Sequence, residues 1–466
     1  MKIHPLTVGP IVGATTGTSV RLWGRGMLEQ VPGGPRRCFG VARLRAAGQA
    51  DYGPPRFCNM NPNFDMTGIV VFAGLTPATR YDYQFGWFFS EMDLDMLTPD
   101  VRLDWSEASV AAFTTATSDT NQPLSFVFGS CRYLLRLFGG AWFDTRGDKT
   151  FYSILEQINA GQPTDQVLMV GDQIYADDLN FLAPDTTLDE YNKRYREVFT
   201  QPGIRELMSR IPTYMTLDDH EIEDNWPAHS SDKDLMVKYP AAIHAYLTYQ
   251  LSHSPLFAVA DQRITGTPER LWYVYSKGCC DFFVTDTRTE RYLVEDEDER
   301  EIISEEQLTA LINWLTDGSG QVKVIASAVP FFPDARRSLE DKWSGFPRQR
   351  NALLETIRRQ QVRRVVFLAG DVHASMSAEL IHPDDPDFKV ISVVSSPFFW
   401  PYPHPRSREF ILDGTLVNTQ EPYTVVNASP VYTDDNFTRV TIDRTSLKAE
   451  VFARKGERIN STIHQF

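Results

Sequence analysis

A layered α/β domain behind a smaller all-β region is the fold class this chain predicts, and three observations lead there. First, four apolar runs end in chemistry-bearing residues. Val167-Leu168-Met169-Val170 empties into Gly171-Asp172, and Val365–Ala369 into Gly370-Asp371-Val372-His373. Phe126-Val127-Phe128 empties into Gly129-Ser130-Cys131-Arg132, and Ile211–Leu217 into Asp218-Asp219-His220-Glu221. A buried strand that ends in Gly-Asp sets a carboxylate at the carboxyl edge of a sheet, where α/β proteins bind ligands. Second, β-rich runs alternate with helical segments from residue 124 onward, which implies a layered α/β domain. Third, the stretch before it is strand and turn only.

Bulk properties agree with two domains. At 466 residues the chain exceeds one ordinary core. Lys plus Arg is 46 against 61 Asp plus Glu, a net charge of −15, which disfavours non-specific nucleic-acid or anionic-membrane binding. An acidic chain that takes an anionic substrate needs local positive charge, and metal ions supply it. The five cysteines, Cys38, Cys58, Cys131, Cys279 and Cys280, are irregularly spaced and predict no disulfide framework; a single Cys38–Cys58 bridge stays open. No apolar run is long enough to span a bilayer, and Met1–Thr7 lacks a signal-peptide core, so a cytoplasmic protein is expected, or an exported one trimmed of its leader.

The front region, 1–118, opens with the alternating strand Thr18–Gly24, continues through Gly68–Phe72 and closes at Ala111–Thr115. Leu75-Thr76-Pro77-Ala78-Thr79-Arg80-Tyr81-Asp82-Tyr83 resembles the turn-plus-tyrosine entry of a fibronectin III or immunoglobulin-like sandwich, with Tyr81 tied back to the backbone. Thr117–Pro123 is polar and turn-prone and reads as the linker to a second domain, 124–466.

In that domain strands are expected near 124–129, 166–170, 211–217, 279–285, 322–328, 363–369 and 388–394. Helices are expected near 149–159, 188–200, 239–251, 304–316 and 347–360. Ser304-Glu305-Glu306-Gln307 ahead of Leu308, Leu311, Ile312 and Leu315 is a capping box on an amphipathic helix. Val440, Ile442, Leu447, Ala449 and Val451 alternate about Asp443–Ser446 and predict a final hairpin. The acidic run Glu295–Glu299 reads as a solvated loop.

Hard or borderline cations want carboxylates and imidazole, and a bridging Asp can bind two of them. Two metals can clamp both the attacking and the leaving oxygen of a phosphoryl group. Asp172 is the bridging candidate. Asp371 and His373, two apart after a strand, are expected to lean the same way as in an extended segment. Asp219 and His220 allow one residue to bind metal and its neighbour to face substrate. Asp177 and Asp178 read as capping or solvating the next loop.

Together Gly129-Ser130-Cys131, Gly171-Asp172 with Tyr175, Asp218-Asp219-His220-Glu221 and Gly370-Asp371-Val372-His373 resemble the PhoD-like alkaline phosphatase branch of the calcineurin-like metallophosphoesterases. Asp286-Thr287-Arg288 and Asp341-Lys342-Trp343-Ser344-Gly345-Phe346-Pro347 support the resemblance. It implies a four-layer metallophosphoesterase sandwich, two β-sheets flanked by helices, with a metal cluster at the sheet edge. It also implies Fe(3+) held partly by Cys and Tyr, with Ca(2+) as partner; Mn(2+) or Zn(2+) is the alternative pair.

Carried over, Cys131, Asp172, Tyr175 and His373 would hold one metal and Asp172, Asp219 and Asp371 the other. His220 would bind the phosphoryl group or protonate the departing oxygen, and Arg132 and Arg288 would hold non-bridging oxygens. The expected function is a metal-dependent phosphoester hydrolase using a metal-activated hydroxide on a small-molecule or lipid monoester or diester, with a manganese or zinc phosphodiesterase or phospholipase-like hydrolase as the alternative. The reading of another class is a non-catalytic, metal-stabilised binding protein, against which His220 argues. Phe398-Phe399-Trp400-Pro401-Tyr402 reads either as an apolar pocket wall or as core.

Overall fold

A computed structural model describes every residue except 29–36, 138–141, 178–183, 261–262 and 337–338; Asp178 therefore lies outside the described residues. Residues up to 114 form two antiparallel sheets. One has three strands, Val8–Thr15, Ser19–Arg25 and Thr67–Ala73, and the other has five, with Arg37–Ala46 and Arg80–Ser90 at its centre. Period-2 alternation explains how the smaller sheet is buried on both faces. Val20 and Leu22 pack against Tyr83, Phe85 and Trp87 of the larger sheet, while Trp23 joins the core of the following region. Tyr81 accepts a hydrogen bond on its hydroxyl from the Thr76 amide at 2.9 Å, the tie-back expected of it.

Polar contacts fasten the front sheets to the rest. The Trp23 indole donates to the Thr248 carbonyl at 2.9 Å, and Arg205 donates to the carbonyls of Gly9 and Leu6 at 2.8 and 2.9 Å. The front is a packed layer, not a bead on the Thr117–Pro123 string.

Two sheets build the remainder. The first has the order Thr213–Thr216, Gln166–Val170, Leu124–Gly129, Asn436–Ile442, Ser446–Ala453, Arg458–Gln465, its first three strands parallel. The second runs Tyr273–Lys277, Cys280–Val284, Val322–Ala326, Val365–Ala369, Asp385–Val394, Met376–His382, Thr424–Val426, Gly414–Thr415, with its second to fifth strands parallel.

Alternation again assigns the faces. Phe282 meets Phe126 of the first sheet edge-on at 5.8 Å, while Phe283 turns the other way into the core shared with the helices Glu305–Leu315 and Pro347–Arg359. Helices Lys149–Asn159, Leu188–Phe199 and Pro202–Met208 join the core of the first sheet. Such parallel sheets, covered by helices, point their carboxyl ends to one edge.

Two local expectations need correction, and one strand went unpredicted. The helix expected over 239–251 is α only for Tyr239–Tyr246 and widens to a π-turn over Leu247–Leu251. Met376–His382 is a strand although Ala, Ser and Glu give it little β propensity; pairing on both sides overrides that weak preference. At Ser304 only half of the capping box forms. Its hydroxyl accepts from the Gln307 amide at 3.2 Å, but the Gln307 side chain is taken by the backbone N–H and C=O of Asp286, both at 3.0 Å.

Candidate metal centre

Every motif residue sits just past the end of a parallel strand, and the turns that carry them are tight. Cys131, Asp172, Asp371 and His373 adopt φ of 57°, 55°, 69° and 49°. Non-glycine residues in this region cost about 1–3 kcal/mol each and cluster at functional sites. Asp371 and His373 therefore do not converge by strand alternation, as an extended segment would have them do; the left-handed turns bring them over the edge. The motif glycines have a packing reason. A Cβ on Gly171 would stand 2.5 Å from the Cβ of Asp218, and one on Gly370 would run into the Ser130 side chain.

One half of the centre gathers a thiol, a phenol and a carboxylate. Asp172 Oδ2 lies 3.3 Å from Cys131 Sγ and 3.4 Å from the Tyr175 hydroxyl, and all three residues are buried. Burial, reinforced by Asp172, pushes both the thiol and the phenol well up, and burial pushes the Asp172 carboxyl up as well. Among the described residues no Lys or Arg forms an ion pair with Asp172.

The other half is rich in both signs. Oxygens of Asp218, Asp219 and Asp371 lie within 4.8 Å of one another, as do ligand atoms of Asp172, Asp219 and His220. Arg288, fully buried, donates to Asp341 at 2.6 and 3.2 Å, contacts Asp218 and stands 3.6 Å from Asp219. Arg291 reaches Asp341 at 2.7 Å, and the Lys342 ammonium lies 2.8 Å from Asp341 and in contact with Asp371. Burial, the largest single influence, would raise Asp219 and Asp341, but Arg288 together with His220 at Asp219 and with Lys342 and Arg291 at Asp341 outweighs it and holds both below the ordinary carboxylate value.

The sequence candidates divide. Cys131, Asp172, Tyr175, Asp219 and Asp371 come together as described. His373 lines the same cavity but lies against Trp400, ring centres 4.0 Å apart, and is not one of the groups whose ligand atoms converge. Burial, with the like charges of His220, His404 and Lys342, lowers it to about 3, so its imidazole is neutral and able to donate a lone pair.

His220 Nδ1 lies 2.8 Å from Asp177, which fixes the ring and leaves Nε2 toward the cavity and Asp224 at 3.8 Å. Burial lowers the affinity of His220 for a proton, but Asp219, Asp177 and Asp172 outweigh it and raise the pKa. Asp177 is thus an orienting residue and not merely a loop cap.

Two expectations fail. Arg132 sends its guanidinium away from the site, to Asp148 at 3.3 Å and the Val198 carbonyl at 3.2 Å; neighbours in a turn leave on different sides, and only its amide, donating to the Asp172 carbonyl at 2.8 Å, serves the centre. Arg288 is saturated by Asp218, Asp219 and Asp341 beneath the cavity, so it organises carboxylates and does not line the space where a phosphoryl group would sit.

Several residues escaped the sequence reading. Glu221 accepts from the amides of Asp172, Gln173 and Asp218 at 2.9, 2.7 and 2.8 Å, tying two strand ends together. Its position beside His220 in an otherwise buried run was the available signal. Lys342 lies in a quoted motif, but only the fold shows what it faces. The cavity, about 560 Å³, is lined by Asp172, Asp219, His220, Asp224, Asn225, Asp341, Lys342, Asp371, His373, Trp400 and Tyr402. The aromatic run splits accordingly: Phe398 and Phe399 are core, while Trp400 and Tyr402 form the wall.

The donor set suits cations. Asp218 Oδ2 and Asp219 Oδ1 are buried without a hydrogen-bond donor, and a thiol, a phenol and a carboxyl that share one buried point can ionise together only if positive charge is brought in. Cys131, Asp172 and Tyr175 would hold one ion, and Asp371 with Asp218 and Asp219 a second.

Comparisons with known proteins bear on the family and the fold. Alkaline phosphatase D of Bacillus subtilis strain 168 is 25% identical over 297 residues, which is 55% of this chain and 47% of that protein, so the match spans about half of the relative's length. A solved structure of PhoD superposes with a TM-score of 0.72 at 19% identity, covering 99% of this chain and 89% of the other. Purple acid phosphatase PPD1 from yellow lupin seeds superposes with a TM-score of 0.59 at 13% identity, covering 97% of this chain and 73% of that one. These two likenesses describe the fold. The model of the PhoD-like phosphatase family matches residues 133–449, about two-thirds of the sequence and all of the strand ends described here except the one bearing Cys131, and the chain belongs to that family.

Proposed function

We propose that this chain hydrolyses phosphoesters in a metal-dependent reaction at the cavity between the two sheets. The observation that carries the proposal is one point, Asp172, shared by the Cys131–Tyr175 group and the Asp219–His220 group, at the floor of a cavity with an oriented histidine. Bound cations would supply Lewis-acid charge for the phosphoryl oxygens and lower the pKa of water. The donor set of thiol, phenol and carboxylate supports iron(III) for the first ion and the all-carboxylate set supports calcium for the second.

The chain's own groups do the rest. Asp177 holds the His220 ring so that Nε2 faces the cavity and can give a proton to the departing oxygen. Glu221 holds the Asp172 and Asp218 backbones in register. Trp400 and Tyr402 offer an aromatic wall to the organic part of the ester, which favours aryl or other extended esters over free small phosphates. We read 1–118 as a fibronectin III or immunoglobulin-like sandwich and 124–466 as the catalytic unit, on the Tyr81 tie-back and the parallel strand ends.

The test is turnover of p-nitrophenyl phosphate and bis-p-nitrophenyl phosphate by the purified protein with metal analysis alongside. His220→Ala should lower kcat by ~10²–10⁴ and keep its metal. Loss of metal in that variant would make His220 a ligand; hydrolysis unaffected by it would remove His220 as the proton donor, and no turnover by the native, metal-loaded protein would return it to a binding role. Colourless protein carrying zinc or manganese would replace the iron–calcium assignment.

A further inference from the structure

We propose that Lys342 is a tethered cation that competes with a divalent ion for Asp371, so the carboxylate half of the centre admits metal only as the ammonium withdraws. Lys342 is buried, lines the cavity, and places its ammonium against Asp371 and 2.8 Å from Asp341. Asp371 is also one of the three carboxylates whose oxygens converge within 4.8 Å as a cation cluster. One carboxylate is thus claimed by two cations.

Charge decides that both do not stay. The four carboxyl groups of Asp218, Asp219, Asp341 and Asp371 already share three cations, Arg288, Arg291 and Lys342. A divalent ion added to this set overshoots neutrality unless one cation leaves. The arginines are not free to go. Arg288 is held by Asp218, Asp341 and the Trp226 carbonyl, and Arg291 by Asp341 and the Thr287 carbonyl. Lys342 carries a compact charge on a flexible four-carbon stem and stands at the cavity wall. Its withdrawal leaves a positive charge in the space where the proposed substrate's phosphoryl group would lie. That consequence rests on the phosphoesterase reading; the competition itself rests only on the carboxylate cluster binding a cation.

The experiment titrates the metal-stripped 466-residue chain with calcium alone and follows Lys342 by pulse acetylation and peptide mass spectrometry. Acetylation of Lys342 should rise several-fold at saturating calcium. Lys277, buried and bonded to the Asp165 carbonyl at 2.7 Å, serves as the unchanged reference. By calorimetry, Lys342→Met should bind calcium at least tenfold more tightly than the native chain. Tighter binding by the variant with Lys342 acetylation unchanged would mean a fixed counter-charge and would overturn the exchange. Equal or weaker binding would overturn it too. If neither protein binds calcium, the cation site is wrong, a result independent of whether phosphoesters are hydrolysed. Should the variant not fold, acetylation of the native chain decides alone.

Discussion

The cysteine–tyrosine half and the carboxylate half of the centre lie side by side, yet only the second carries ammonium and guanidinium counter-charges of its own. Around Asp172, Cys131 and Tyr175 no ammonium or guanidinium is paired among the described residues; around Asp218, Asp219, Asp341 and Asp371 there are three. A buried anion without a partner takes up a proton or recruits a cation. The first half is therefore built to wait for an ion. The second is a buried salt-bridge network that stands without one, and its ion is an addition. Chemistry should be sensitive at the first half, stability at the second.

The sharpest way to break this contrast is Asp172→Asn. The change removes the one oxygen that faces both Cys131 and Tyr175, and with it the link to the Asp219–His220 group. We expect kcat/KM on p-nitrophenyl phosphate to fall by ~10³ or more, about 4 kcal/mol of transition-state stabilisation. The metal-free melting temperature should move little, because burial already pushes the Asp172 carboxyl toward its neutral form and a neutral amide suits that site. An active variant would show that Asp172 is not the shared ligand.

Arg288→Met strikes the other half. It strands Asp218, Asp219 and Asp341 around a neutral side chain, and removing one partner from a buried pair typically costs about 3–5 kcal/mol. Urea denaturation of the metal-stripped protein measures that loss, and added calcium should restore part of it by replacing the missing charge. A variant as stable as the native chain would mean that the network is not structural.

What the sequence revealed and what it hid follow the same physics. The strand ends were legible because apolar runs closed by Gly-Asp are local, and Gly171 and Gly370 are needed for close approach whatever lies beyond. Cys131 was legible only in the company of the other three motifs. The fates of Arg132 and Arg288 were not, since a buried guanidinium is drawn by charges far along the chain: Asp148 in one case, Asp218 and Asp341 in the other. Lys342 was hidden for that reason too, because its partner Asp371 arrives from another strand. The left-handed turns at Asp371 and His373 were invisible because strand alternation is the default geometry for residues two apart.

The subtlest consequence is in protons. Burial and the neighbouring Asp172 raise Cys131 and Tyr175, so both are protonated at neutral pH in the metal-free protein. Each ligates only after losing its proton, so uptake of an ion at this half should release up to two protons and strengthen by up to ~10-fold per proton per pH unit as pH rises. Asp219 and Asp341 are held below the ordinary carboxylate value, chiefly by Arg288, and remain ionised well into acid. The other two carboxyls of that cluster behave differently: burial pushes Asp218 up to about 8 and raises Asp371, so calcium uptake should also release protons and weaken as pH falls through about 8. Calorimetry in two buffers of different ionisation enthalpy counts the released protons for each metal. Cys131→Ser should remove one proton from the count for iron and none from the count for calcium. An unchanged count for iron would show that the thiol is not a ligand, and the contrast between the halves would then rest on Tyr175 and Asp172 alone.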